Sequence, residues 1–351
     1  MTRVMLRQIV FAASCLLASP LVSAAGQNCA AMEASGPQWF AAQLDKVQVT
    51  YQNGNNQGAY QQLREAMYGL PRRVDVSLDA RCVGTAQWQR MYQLRRTITA
   101  TLGQQAEKAG ELIGPESALD WYVRGDNLDA ARRVIGQLTA TAGGAAAIVN
   151  RLHSEIGSLD HAQELGFELL PDERSARTSW QKELDGAISY ARKRTAEILE
   201  KESDLLTRTV TSKEEQLEVI QETRQAIVTG ILGDESLAVK NEAQREVNRA
   251  QASLAMLVAA QDWSQSVSAD ATTRVIDRAV MRGNALMAQA GNSKLSLEAR
   301  ASLYGAADNY FEFAGNGARR QAAAQGLAAV APALQAERDA RSARIDERGQ
   351  S

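Results

Sequence analysis

Apolar positions recur at three- and four-residue spacing along nearly the whole chain, and sustained alternation is rare, so the pattern predicts an all-α protein. Val74, Val76 and Leu78 form a single short alternating run, which does not make a sheet. Phe40, Leu44, Val47 and Tyr51 follow one another at 4-3-4 spacing, the buried stripe of one helix. Asn53-Gly54-Asn55-Asn56 ends that helix, because Gly and Asn tolerate the left-handed backbone that closes helices. A second helix over 59–68 stops at Gly69-Leu70-Pro71, and Trp88, Met91, Leu94 and Ile98 read as a further core stripe. Alanine is abundant while aromatics are only 5% of the chain, a composition that favours helix formation and close helix approach.

Residues 171–263 differ in kind. Leu184, Ile188, Ala191, Thr195, Ile198, Glu202, Leu205 and Thr209 alternate by four and three, as a coiled-coil seam does. Ser212 and Glu215 have capping-box spacing, and Leu217, Ile220, Arg224, Ile227 and Ile231 carry the pattern to a break at Gly230 and Gly233. Ala243, Val247, Ala250, Leu254 and Leu257 then resume it. A glycine-bounded break between two seams predicts a long antiparallel helical hairpin whose return arm spans about 40 Å. It is either a protruding arm or two ordinary bundle helices, and polar seam positions such as Glu202 set register or face solvent. Three more helices are expected at about 271–290, 295–314 and 318–335, with Tyr304, Ala307, Phe311 and Ala314 as core. Residues 336–351 carry four arginines and four acids and form a charged tail. The expected organisation is therefore an N-terminal helical domain over 25–170, the hairpin over 171–263, a C-terminal helical region over 264–335, and the tail.

Within the N-terminal region Gly54 sits at a helix turn, Ala59, Leu63 and Ala66 take the small and apolar positions of the helix after it, and Pro71 closes that helix. Ala118, Trp121, Gly125, Ala130 and Val134 repeat the small, aromatic, turn, small and apolar order. The chain here resembles tetratricopeptide hairpins, and the turn glycines 54 and 125 are separated by about two repeat lengths. The match covers about 40–71 and 118–134. No repeat is evident between them, and Gln137 and Ala142 replace the small residue and closing proline of the second copy. The resemblance implies stacked helical pairs, an α-solenoid whose concave face recognises another protein or a peptide.

Residues 1–24 have the grammar of a cleavable secretory signal peptide. Arg3 and Arg7 precede an apolar run from Ile9 to Val22, and Ser23, Ala24 and Ala25 offer a cleavage site. The run is too short for a membrane span. Export to a periplasm is the expectation. Removing residues 1–24 takes two arginines and no acids from 39 basic and 41 acidic side chains, leaving a net charge of −4. That balance gives no reason to expect nucleic acid or anionic lipid as a partner. Cys15 leaves with the leader, and neither Cys15 nor Cys29 lies in a good acylation context. Cys29 and Cys82, 53 residues apart, are then expected to pair. Closing that loop contributes about 4 kcal/mol on the chain-entropy model. No C-x-x-C is present, which favours a structural bond over a redox pair.

No catalytic set, cofactor motif or metal-ligand spacing is recognised. The two histidines, His153 and His161, lie among Glu155, Asp160 and Glu164, a loose partial set that reads as a solvated face. There is no Gly-x-Ser-x-Gly elbow, and Gly143-Gly144 lacks the lysine of a phosphate loop and marks a helix break. Helical glycan-cleaving enzymes use a Glu followed by Ser, a dipeptide found at Glu116-Ser117, Glu202-Ser203 and Glu235-Ser236, without the downstream run those enzymes carry. The expected function is that of an exported, non-catalytic helical scaffold that binds another cell-envelope protein or a peptide. Tyr51, Trp121 and Tyr122 are its candidate contact residues. A peptidoglycan-acting enzyme or glycan-binding protein is the alternative, and self-association through 171–263 is a further one.

Overall fold

The computed structural model describes residues 29–208, 237–267 and 269–349. Among them are eleven α-helices and one short 3-10 helix, and no strand. The chain is all-α, as the periodicity predicts. The helices are α1 (Gly36–Gln52), α2 (Asn56–Tyr68), α3 (Thr85–Ala109), α4 (Ala118–Arg124), α5 (Leu128–Leu138), α6 (Ala142–Glu164), α7 (Pro171–Thr207), α8 (Leu237–Ser264), α9 (Ala269–Ala290), α10 (Leu297–Phe313) and α11 (Gly317–Gly349). The leader-like residues 1–24, the Ser212–Glu215 cap and the glycine break at 230–233 lie outside the described residues.

The helices form two compact units. Unit 1 comprises the chain up to Glu111 together with Pro115–Leu128 and Ser154–Ser179, and unit 2 comprises Leu112–Gly114, Asp129–His153 and Trp180–Ser351. The division falls within α6, between His153 and Ser154, and within α7, between Ser179 and Trp180.

In unit 1, α1 and α2 pair as a hairpin, and α3 packs on both and on α4. The α1 stripe Phe40, Leu44 and Val47 is fully buried, as are Ala59 and Leu63 of α2. Asn55 starts α2 by accepting from the Gly58 N–H, so this turn carries its own cap. Gly54 has φ +83, a backbone that a residue with a Cβ adopts only under strain. The Val74–Leu78 run forms no strand; the extended pairing nearby is a lone antiparallel bridge between Met32 and Arg72. The expected Cys29–Cys82 bond is present, with the sulfurs 2.07 Å apart. It ties the first described residue to the 3-10 helix Ala80–Val83.

In unit 2, α9, α10 and α11 pack in succession and α8 lies against α9 and α10. Small residues set the spacing. A Cβ on Gly283 would stand 2.5 Å from the Phe311 ring, and one on Gly326 2.4 Å from Tyr304. Ser253 bonds Glu202, and Trp263 packs with Ala191, so these two stretches of α7 and α8 run antiparallel. Gly143-Gly144 falls in the first turn of α6, where Thr141 accepts from the Gly144 N–H. The charged segment from 336 continues α11 as helix to Gly349.

Candidate functional site

Of the three contact residues expected from sequence, two are core. Trp121 is 2% exposed and meets Tyr60 edge-on at 4.7 Å. Tyr122 is 1% exposed, and its hydroxyl donates to Glu107 at 2.7 Å. α4 is a seven-residue helix with every residue from Ala118 to Val123 buried, so neither ring presents a surface to a partner. Tyr51 is half-buried and its hydroxyl shares a 2.9 Å hydrogen bond with Thr101. Sequence spacing shows where an aromatic lies on its helix but not how many neighbours surround that helix.

Two of the Glu-Ser dipeptides have structural occupations. Ser117 is the N-cap of α4, accepting from the Asp120 N–H, and Glu116 is exposed and accepts from Gln57. Glu202 is fully buried, and a buried glutamate is what a general acid requires, but its surroundings favour the anion. Ser253 Oγ donates to Oε1 at 2.7 Å, Arg282 Nε to the same oxygen at 3.0 Å, and Arg278 Nη1 to Oε2 at 3.1 Å. Burial alone raises the carboxyl pKa; the Ser253 bond and the two guanidinium groups outweigh it and hold Glu202 below its ordinary range. Glu202 is therefore a structural anion that joins α7, α8 and α9. Glu235-Ser236 lies outside the described side chains.

The same guanidinium opens onto a cleft. Arg278 Nη1 also donates to Ser203 Oγ at 2.7 Å and to the Leu199 carbonyl at 2.8 Å, which fixes it against α7. Beside it, α7 and α9 enclose a half-open cleft of about 550 Å³. Thr195, Ala196, Leu199 and Ala271 make a largely apolar floor, and Arg192, Glu200, Asp204 and Arg274 stand around it. Arg274 pairs with Asp270 at 3.2 Å on the surface. The α7 wall from Arg192 to Asp204 is about 18 Å long at ~1.5 Å per residue. Of the floor, Thr195 alone lies on the seam that the sequence spacing marks; Ala196, Leu199 and Ala271 do not. The opening was not legible in the sequence, since it depends on where α9 sits.

His161 is exposed and pairs with Glu164, three residues on, at 3.5 Å. Among the described residues no three His, Cys, Asp or Glu side chains converge as metal ligands. No helix there is long and apolar enough to cross a membrane. Compared with known proteins, the chain matches no family model, no curated protein and no solved structure.

Proposed function

We propose that this chain is an exported, periplasmic helical scaffold whose α7–α9 cleft takes up a helical segment of another envelope protein. The observation that carries the reading is the cleft itself: an apolar floor between two helices, about three helical turns long, with charges of both signs around it. Such a trough fits the apolar stripe of one amphipathic helix, and its rim of arginines and acids would select the register of the incoming side chains. Export agrees with the leader-like sequence 1–24 and with the Cys29–Cys82 bond, which persists in oxidising compartments. The glycan-enzyme alternative draws no support from Glu202, whose environment stabilises the charged form that cannot donate a proton.

The test is a photocrosslinking residue at Ala196 on the cleft, compared with one at the exposed Ala324 of α11, in intact cells. A single adduct from position 196 is expected, absent from position 324 and weakened by Arg274→Glu at the rim. No adduct, or the same adducts from both positions, would reject the cleft as the contact site. An adduct with a second copy of the chain would transfer the site to self-association. Release of muropeptides by the purified protein would replace the scaffold by an enzyme.

A further inference from the structure

Two Asn-Gly dipeptides occur in the chain, Asn53-Gly54 and Asn316-Gly317, and they sit in different surroundings. We infer that Asn53 is a site of spontaneous modification, losing its side-chain ammonia through a cyclic imide formed with the Gly54 nitrogen. In that step the Gly54 amide gives its proton to base and its nitrogen attacks Asn53 Cγ. The bond from Cγ to the side-chain nitrogen breaks, and ammonia leaves. Water then adds to one of the two imide carbonyls and opens the ring, to aspartate or to its backbone-extended isomer. No oxidant or enzyme is needed.

The geometry at Asn53 leaves this path nearly open. Asn53 and Gly54 are both exposed in the turn between α1 and α2. Gly54 has no Cβ to block the approach, and nothing lies within 4 Å of where one would be. The Asn53 side-chain amide makes no hydrogen bond among the described residues, so it is free to rotate. Attack requires the Asn53 backbone to turn away from its ψ of 4 until the Gly54 nitrogen faces Cγ, and the 2.9 Å bond from the Gly54 N–H to the Tyr51 carbonyl opens with it, in the last turn of α1 where helices fray. Asn316 is held differently. It is half-buried, and its side-chain oxygen accepts from the Arg319 N–H as the cap of α11. Attack there gives up a helix cap as well as ordered surroundings.

Conversion at Asn53 has a local consequence. It puts a negative charge at the C-terminal end of α1, the negative end of the helix dipole. The isomer adds a backbone atom to a turn closed by bonds from the Asn55 N–H to Thr50 and from the Asn56 N–H to Gly54. The α1–α2 hairpin is the element that loosens.

The experiment incubates the full chain in mildly alkaline buffer, natively and in urea, and follows each asparagine by peptide mapping with isoaspartyl methyltransferase labelling. Losing one net hydrogen bond slows the native reaction at Asn53 by about tenfold relative to the unfolded chain, and the rotation of the Asn53 backbone slows it further. Native label is expected in the Asn53 peptide first, and none there in the Asn53→Ser variant, which removes no hydrogen bond. An Asn53 that keeps its amide natively while losing it in urea would overturn the inference. So would conversion at Asn316 ahead of Asn53.

Discussion

Among the described residues each unit buries one glutamate completely, and the two are held by different means. Glu173 of unit 1 accepts from Arg81 at 3.1 Å and the Trp88 indole at 3.2 Å, while its other oxygen accepts from the Leu170 N–H at 2.9 Å. It is half of a capping box at the start of α7, stabilised by one cation and one ring. Glu202 of unit 2, on the same helix, has two guanidinium groups and a hydroxyl from α8 and α9. The first glutamate starts a helix; the second fastens three helices to each other. One residue type at two buried positions of one helix thus combines a local cap with tertiary bonds in one case and does tertiary work alone in the other.

That contrast breaks or sharpens under substitution. Glu202→Ala takes the buried anion from two partly exposed guanidinium groups and orphans Ser253, and is expected to cost at most about 3–5 kcal/mol. Glu173→Ala orphans the indole and one N–H but leaves Arg81 its 3.7 Å pairing with Asp79, so its cost in urea unfolding should be smaller; equal costs would erase the distinction. Cys82→Ser opens the 53-residue loop of unit 1 and should cost about 2–4 kcal/mol. Its signature is that reductant lowers the unfolding midpoint of wild type but not of the variant. Gly283→Ala drives a methyl against Phe311, itself 1% exposed, and the overpacking of about 1–3 kcal/mol should exceed the helix-propensity gain of about 1. Gly103→Ala in unit 1 meets Tyr122 at 2.4 Å, a ring also tethered by its bond to Glu107, and should cost at least as much by thermal unfolding.

The smallest effect is in pH. The folded carboxyl of Glu202 lies below its unfolded value, so its contribution is complete above the ordinary carboxylate range and is lost as pH falls through the lowered value. An acid titration of stability should therefore be flatter in Glu202→Gln than in wild type. Tyr310 marks the alkaline side. Burial pushes its hydroxyl up to about 12, against the Ser253 bond and with the nearby Glu202 charge, while that hydroxyl donates to the Ala250 carbonyl at 2.7 Å. Its contribution is present below the ordinary tyrosine value and lost as pH rises toward about 12. Tyr310→Phe should remove that alkaline limb at a cost of about 1 kcal/mol near neutrality.

Much of the fold was legible in the residues themselves. The α1 stripe, the Asn-Gly turn, the seams of α7 and α8, and the glycines before α11 all declare helix boundaries or buried faces through local spacing. The pairing of Cys29 with Cys82 followed from there being two candidate thiols once Cys15 is set aside. The site was far less legible. Glu202 was visible as a polar position in an apolar seam and as part of a Glu-Ser dipeptide, but not as a clasp, since the guanidinium groups that claim it come from 76 and 80 residues further on. Trp121 and Tyr122 suggested contact residues because aromatics serve surfaces and cores equally well, and burial alone separates the two.

What this sequence determined by itself is that its chain coils into amphipathic helices of given lengths, because helix formation is governed by contacts three and four residues apart. What the tertiary structure decided is which helix faces meet. That choice made Glu202 a clasp between helices, left α7 and α9 parted over an apolar floor, and took two of the candidate rings out of reach. These outcomes rest on contacts across tens of residues, where the periodicity of one segment carries no information about the face another will present.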